Sequence, residues 1–172
     1  MSDLKVNSIS GNTSTGVHIP GHVIQTVTHA FSDNTSITTY GTTYTDITNA
    51  AITITPKHSN SKILIMPNLV FYMSISSSTY VYGGIRLLRG SSTVVAPTNS
   101  IDGNGAYDYG YSKTTAGTSQ LDLRHCGHHV DTPATTSATT YKFQGINYAS
   151  GRTMVFNGAG GSSSIVAMEI AV

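Results

Sequence analysis

From His22 onward, short runs rich in Val, Ile, Thr and Tyr alternate with clusters of Gly, Asn, Ser and Pro. The runs lie at 22 to 31, 37 to 47 in pieces, 51 to 55, 62 to 73, 81 to 89, 92 to 96, 120 to 125, 139 to 148, 152 to 157 and 163 to 172. No helical period separates them, so the pattern predicts an all-β, antiparallel sandwich or barrel and argues against a parallel sheet with crossover helices.

Three runs indicate which faces are covered. In the last, Val166, Met168, Ile170 and Val172 fall on one side and Ala167, Glu169 and Ala171 on the other, the alternation of a half-covered sheet. In 62 to 73 both sides are apolar, with Ile63, Ile65, Leu69 and Phe71 opposite Leu64, Met66, Val70 and Tyr72, which predicts a central strand covered on both faces. Pro67 has no backbone donor, so a bulge or break is expected there. In 84 to 90, Ile85, Leu87 and Arg89 oppose Arg86 and Leu88. A second two-sided strand in so small a chain predicts that one outer face meets another subunit.

Residues 1 to 21 differ from the rest. Leu4, Val6, Ile9, Val17 and Ile19 are scattered among Ser, Thr, Asn and Gly, too thinly for the segment to bury itself. They read as an extended arm for attachment or strand exchange, or else as a frayed terminus, with Pro20 and Gly21 punctuating the start of a β domain at 22 to 172. The chain has 172 residues, enough for one core of useful size.

Composition sharpens this reading. Charged residues make up only 10% of the chain, while Ser and Thr supply about a quarter, so its polar surface is built from hydroxyls and amides. A formal net charge of +1 gives no basic footprint for a phosphate backbone, so no nucleic-acid partner is expected. No stretch approaches the roughly 18 consecutive apolar residues of a membrane span, and the start lacks a signal-peptide core, so neither membrane insertion nor secretion by that route is expected. Cys126 is the only cysteine, which excludes an intrachain disulfide and leaves packing, or partner chains, to supply stability.

Four segments together carry a family resemblance: LKVNSISGNTSTGVHIPGHVIQTV at the start, ITITPKHSNSKILIMPNL, GGIRLLRGSSTVV, and TYKFQGINYASGRTMVFNGAGGSSSIVAMEIAV at the end. They resemble small tail-fibre and virion-appendage proteins of phages of marine bacteria, cyanophages included. The resemblance implies jelly-roll-like sandwich subunits assembled as homotrimers in a virion. The thinly apolar residues 1 to 21 are expected to attach the chain to other phage structural proteins by a donor-strand type of contact, and exposed loops to touch the host surface. Long tail fibres carry a sizeable N-terminal particle-binding domain where this chain has about twenty residues, so a capsid decoration protein is the second expectation. A glycan-binding, lectin-like module is the third.

Two clusters carry candidate chemistry. In RHCGHHVD, residues 124 to 131, an extended backbone puts His125 and His129 on one face and Cys126 and His128 on the other. Two ligands per chain are too few for a closed site, but three chains around a threefold axis would offer six nitrogens to a transition-metal ion; the alternatives are a hydrogen-bonded subunit contact or solvent. Neutral histidines at such a contact would make it acid-sensitive. No other cofactor is expected. In IDGNGAYDYGY, Tyr107, Tyr109 and Tyr111 stand at alternate positions beside Asp102, Asn104 and Asp108, a set suited to stacking on a sugar and bonding its hydroxyls. The competing reading packs these tyrosines against a neighbouring subunit. The spacing lacks the terminal Glu of a calcium loop. The glycines of NGAGGSSS read as a hairpin turn before the last strand, since no Lys or helix follows them. Neither a nucleophile elbow nor a recognisable carboxylate pair appears, so the expected role is not enzymatic.

Overall fold

The chain was described as a computed structural model, which covers residues 19–41, 43–75, 80–96, 108–112, 119–148 and 150–172. Its strands are β1 (Val23–Phe31), β2 (Thr35–Ile37), β3 (Thr45–Ile54), β4 (Lys62–Ile75), β5 (Tyr80–Arg89), β6 (Ser92–Val95), β7 (Asp108–Ser112), β8 (Ser119–Cys126), β9 (His129–Asp131), β10 (Thr139–Asn147), β11 (Arg152–Phe156) and β12 (Ser163–Ile170). A 3-10 turn, Gly158–Gly160, lies between the last two. The expected all-β sandwich is what forms: two antiparallel sheets, with β4 central in the first and β10 and β5 central in the second.

The fold becomes simple once the interrupted strands are joined. β12 pairs with β4 from Lys62 to Asn68 and β11 pairs with the same edge from Phe71 to Ile75, so the two form one line broken by a short excursion. β1 and β2 continue one another along β12 and β11, and β8 and β9 do so along the other edge of β4. β6 and β7 share one edge of β5. Eight lines remain, and they pair first with eighth (β1·β12), second with seventh (β3·β10), third with sixth (β4·β8) and fourth with fifth (β5·β6). A long antiparallel hairpin wrapped around a barrel axis pairs in this way, and the result is a jelly roll.

Inward side chains from both sheets fill the space between them. Phe71, Phe156, Ile65 and Leu69 from the first sheet meet Tyr141, Phe143, Ile85 and Leu87 from the second, all at most 2% exposed. Each such side chain contributes about 1.5–3 kcal/mol of transfer free energy. Gly145 lets the layers close: a Cβ there would stand 2.6 Å from Ile37 Cδ1 and 2.9 Å from Phe156 Cε2.

Several expectations need correction. The alternation expected in β12 is present, and the structure assigns its faces: Ile165, Ala167 and Glu169 face the interior, while Val166, Met168 and Ile170 lie half-buried on the outer face. The inward carboxylate is tolerated because backbone and side-chain donors surround it. The second face of β4 is only half-covered at Leu64, Met66, Val70 and Tyr72, because the described residues supply no third layer over that sheet. The break expected at Pro67 falls in its neighbour: pairing with β8 stops at Asn68↔Cys126 and resumes with β9 at Ile65↔His129, so no ladder donor is wanted from Pro67 on that side. NGAGGSSS is not a hairpin, because β11 and β12 run in line along one edge of β4 instead of pairing with each other. The pieces expected at 37 to 47 and 51 to 55 largely merge into a single strand, β3, with Asn49 at φ 58 and a register shift opposite Lys142 and Gln144.

A locked turn precedes β1. The His22 N–H donates to the Ile19 carbonyl at 3.0 Å, with Pro20 and Gly21 at the centre and Gly21 at φ +84, the geometry of a type II turn. Gly21 N–H and the His22 carbonyl then bond the backbone of Ala171, fixing the chain's entry beside the end of β12.

Candidate functional site

The histidine cluster divides between the two faces of the first sheet. His125 lies opposite Leu69 and His129 opposite Ile65, so both point inward, as the extended reading predicts for one shared face. They are four positions apart along β4, roughly 13 Å. His125 is 3% exposed inside the sandwich, where burial holds its pKa at about 4. An axial ion drawing on both histidines of each chain would need His125 at the surface. Cys126 lies on the outer face with its thiol 3.5 Å from Asn68 Oδ1. Among the described residues, no three His, Cys, Asp or Glu side chains converge as a metal-binding group.

The tyrosine-rich segment is partly placed. Asp108, Tyr109 and Tyr111 belong to β7, with their backbones opposite Gly84, Gly83 and Val81. Asp102, Asn104 and Tyr107 lie outside the described residues, as do Leu4, Val6 and Ile9 of the N-terminal segment. β7 itself was not among the expected strands. Its short Tyr-Gly-Tyr run has two flanks that read as turn, and only pairing with β5 makes it a strand.

Two polar groups missed by the sequence reading hold the frame. Glu169, fully buried, accepts hydrogen bonds from the backbone N–H of Lys57 (2.8 Å) and His58 (3.1 Å) and from Gln25 Nε2 (2.6 Å). Burial works to raise this carboxyl, but Ser61, Gln25 and the two backbone donors outweigh it and hold the pKa below its ordinary value. The carboxylate therefore pins the β3–β4 connection to β12. In the same row of the sheet, on the other side of Ile63, Arg89 Nη1 donates to both oxygens of Asp131 and the Tyr141 hydroxyl donates to Asp131 Oδ2 at 2.7 Å. Burial, reinforced by Asp131, raises the Tyr141 phenol well above its usual range.

The two outer faces are chemically unlike. On the second sheet, Lys142 and Gln144 both donate to Asp46, and Arg86 Nε donates to Gln144 at 2.6 Å while its guanidinium lies 3.8 Å from the centre of the Tyr44 ring. The bond from Gln144, helped by Lys142, lowers the Asp46 pKa. Thr53 and Thr140 pair beside them at 2.8 Å. On the first sheet, the 157–162 connection folds over Val70, Tyr72 and Val155, leaving Val155 3% exposed although it faces outward. Beyond it, Leu64, Met66, Val166, Met168 and Ile170 form a half-buried apolar strip that ends at Val130, 47% exposed. Register places Val130, Leu64 and Met168 in one row and Met66 and Val166 in the next. The signal for this strip was present in the two-sided pattern of 62 to 73.

No protein-family model matches the chain, and neither does any curated protein. Among solved structures it is similar to that of the infectious bursal disease virus Gt strain: 16% identity, 98% of this chain and 43% of that chain covered, TM-score 0.43. The 2.6 Å structure of T=1 particles derived from the same virus gives 17% identity, 97% and 41% coverage and a TM-score of 0.40. Its VP2 subviral particle gives 16% identity, 97% and 42% coverage and a TM-score of 0.40. The chain spans less than half the length of each of these. Such distant likenesses carry no functional weight.

Proposed function

We propose that this chain is a non-enzymatic structural protein of a bacteriophage particle, a homotrimeric tail-fibre or appendage component that works by assembly and by contact with the host surface. The observation that carries the reading is the first sheet's outer face. β4 is apolar on both sides, and among the described residues the 157–162 connection covers that face around Val70, Tyr72 and Val155 and leaves Leu64 and Met66 half-buried. A charge-poor jelly roll with such a face completes its burial by joining other copies. The resemblance of four segments to marine phage appendage proteins points the same way. Residues 1 to 21 would then attach the trimer to other virion proteins by adding main-chain hydrogen bonds, with host glycan bound by the loop carrying Asp102, Asn104 and Tyr107 together with β7.

The test is the mass of the purified chain in solution by light scattering, followed by cryo-electron microscopy of the phage that encodes it with an antibody against the chain. Three chains per particle in solution and label on the tail support the reading. Label on the head lattice makes it a capsid decoration protein instead. A stable monomer that binds a defined glycan would make it a lectin-like module.

A further inference from the structure

Arg86, on the outer face of the second sheet, is held in one place and left without an anion. Its Nε donates to Gln144 Oε1 at 2.6 Å and its guanidinium lies 3.8 Å from the centre of the Tyr44 ring, which together fix the position and the plane of the group. Gln144 commits its own amide nitrogen to Asp46, and Lys142 neutralises that carboxylate at 3.0 Å. Among the described residues, no carboxylate pairs with Arg86 and neither of its terminal nitrogens has a hydrogen-bond partner. With Nε already used, those two nitrogens present a fork whose parallel N–H groups match the two oxygens of a carboxylate.

Strand register sets this fork beside the tyrosine-rich segment. The chain leaves β6 at Val95, opposite Leu87, and enters β7 at Asp108, opposite Gly84. The two ends of the segment carrying Asp102, Asn104 and Tyr107 therefore stand on the edge of β5 to either side of Arg86, roughly 10 Å apart. On the β10 side of the arginine, Tyr44 and Tyr148 join their hydroxyls at 3.2 Å. A fixed cation is thus placed between aromatic rings and hydroxyls that suit a sugar and a segment whose composition suits one too.

We propose that Arg86 determines the specificity of a glycan site on this face, and that the glycan is acidic: a saccharide whose carboxylate closes on the guanidinium fork. The assignment rests on the reading of 101 to 111 as a glycan contact and adds the class of sugar. A neutral sugar would leave the guanidinium without a counter-ion. An acidic peptide would supply a carboxylate but no pyranose face for the tyrosines.

The experiment measures binding of the full-length chain to an immobilised set of neutral oligosaccharides, oligogalacturonates, their methyl esters and polyglutamate. Wild type is compared with Arg86→Gln, Arg86→Lys and Gln144→Glu, with circular dichroism confirming each fold. The wild type should retain the oligogalacturonates and bind their esters and the neutral sugars far more weakly. Arg86→Gln should lose about tenfold to a hundredfold on the acid alone, the scale of one charge-assisted contact, and so erase the preference over the ester. Arg86→Lys keeps the charge without the fork and should recover only part of it. Gln144→Glu gives Arg86 a carboxylate from within the chain and should weaken acid binding with the arginine still present, which keeps the test decisive if Arg86→Gln fails to fold. Acid and ester bound equally, or acid binding untouched by Arg86→Gln and Gln144→Glu, overturns the assignment and leaves the glycan contact standing. Polyglutamate bound as well as oligogalacturonate overturns it in favour of an acidic peptide. A wild type that retains no saccharide overturns both the assignment and the glycan contact.

Discussion

Arg89 reaches from the second sheet to Asp131 at the edge of the first, closing a 2.8 Å ion pair on a carboxylate that also accepts from the buried Tyr141 hydroxyl. The three members are unequally placed. Arg89 is about one-third exposed, whereas Asp131 is 11% exposed and Tyr141 is closed to solvent. An ion pair with one exposed partner contributes little, about 0–1 kcal/mol, but a buried hydroxyl that loses its acceptor costs about 1–3 kcal/mol. Asp131→Ala should therefore destabilise the chain more than Arg89→Ala, and Tyr141→Phe should recover some of the Asp131→Ala loss in the double variant. Urea denaturation of the four proteins checks the order; equal losses from the two alanine variants would show that the ion pair dominates.

His125 makes the fold acid-sensitive from within. Its pKa is held at about 4 in the folded chain against 6.5 for an unperturbed histidine, so between those values the unfolded chain binds the extra proton. Stability is fully present above about pH 6.5 and falls as pH drops towards 4, by about 3 kcal/mol in all. This contribution arises in the sandwich interior and is separate from the acid sensitivity that the sequence led us to expect at a subunit contact. His125→Leu should flatten the dependence of the denaturation midpoint on pH across this window. Parallel profiles for the two proteins would assign the effect to other groups.

Glu169 acts in a lower window. Its folded pKa lies below the ordinary 4.5, so its contribution is present above that value and is lost as pH falls through the folded pKa. Glu169→Ala leaves the Lys57 and His58 N–H groups and the Gln25 amide without this acceptor, which should cost about 2 kcal/mol or more. Amide exchange at Lys57 and His58 should speed up in the variant at neutral pH. Unchanged exchange would mean that the β3–β4 connection holds its own shape.

Strand positions and fold class were legible because period-2 alternation is local, and most of the strands fall within the expected runs. What was not legible depended on distant partners. Alternation in 163 to 170 separates two faces but does not say which one is inside, and Glu169 turns inward because donors 112 residues away in sequence meet it. The in-line continuation of β11 into β12 follows from the length of β4, whose single edge accommodates both, and nothing in NGAGGSSS encodes that. The histidine pair was placed on one face correctly, but its spacing along β4 emerges only once the break between β8 and β9 is known.

The close approach at Gly145 offers a test of how tightly the two sheets are joined. A methyl group there meets Ile37 Cδ1 at 2.6 Å and Phe156 Cε2 at 2.9 Å, and both side chains are fully buried, so neither has free space to retreat into. Gly145→Ala should cost about 1–3 kcal/mol by overpacking. The nearer clash involves the terminal methyl of Ile37, which Ile37→Val removes at a cost of its own of about 0.5–1.5 kcal/mol. If the clash is local, the double variant should lose clearly less than the sum of the single losses, a coupling that thermal or urea denaturation resolves. Additive losses would instead show that the sheets separate as rigid layers when Gly145 is filled, with Phe156 rather than Ile37 setting their spacing.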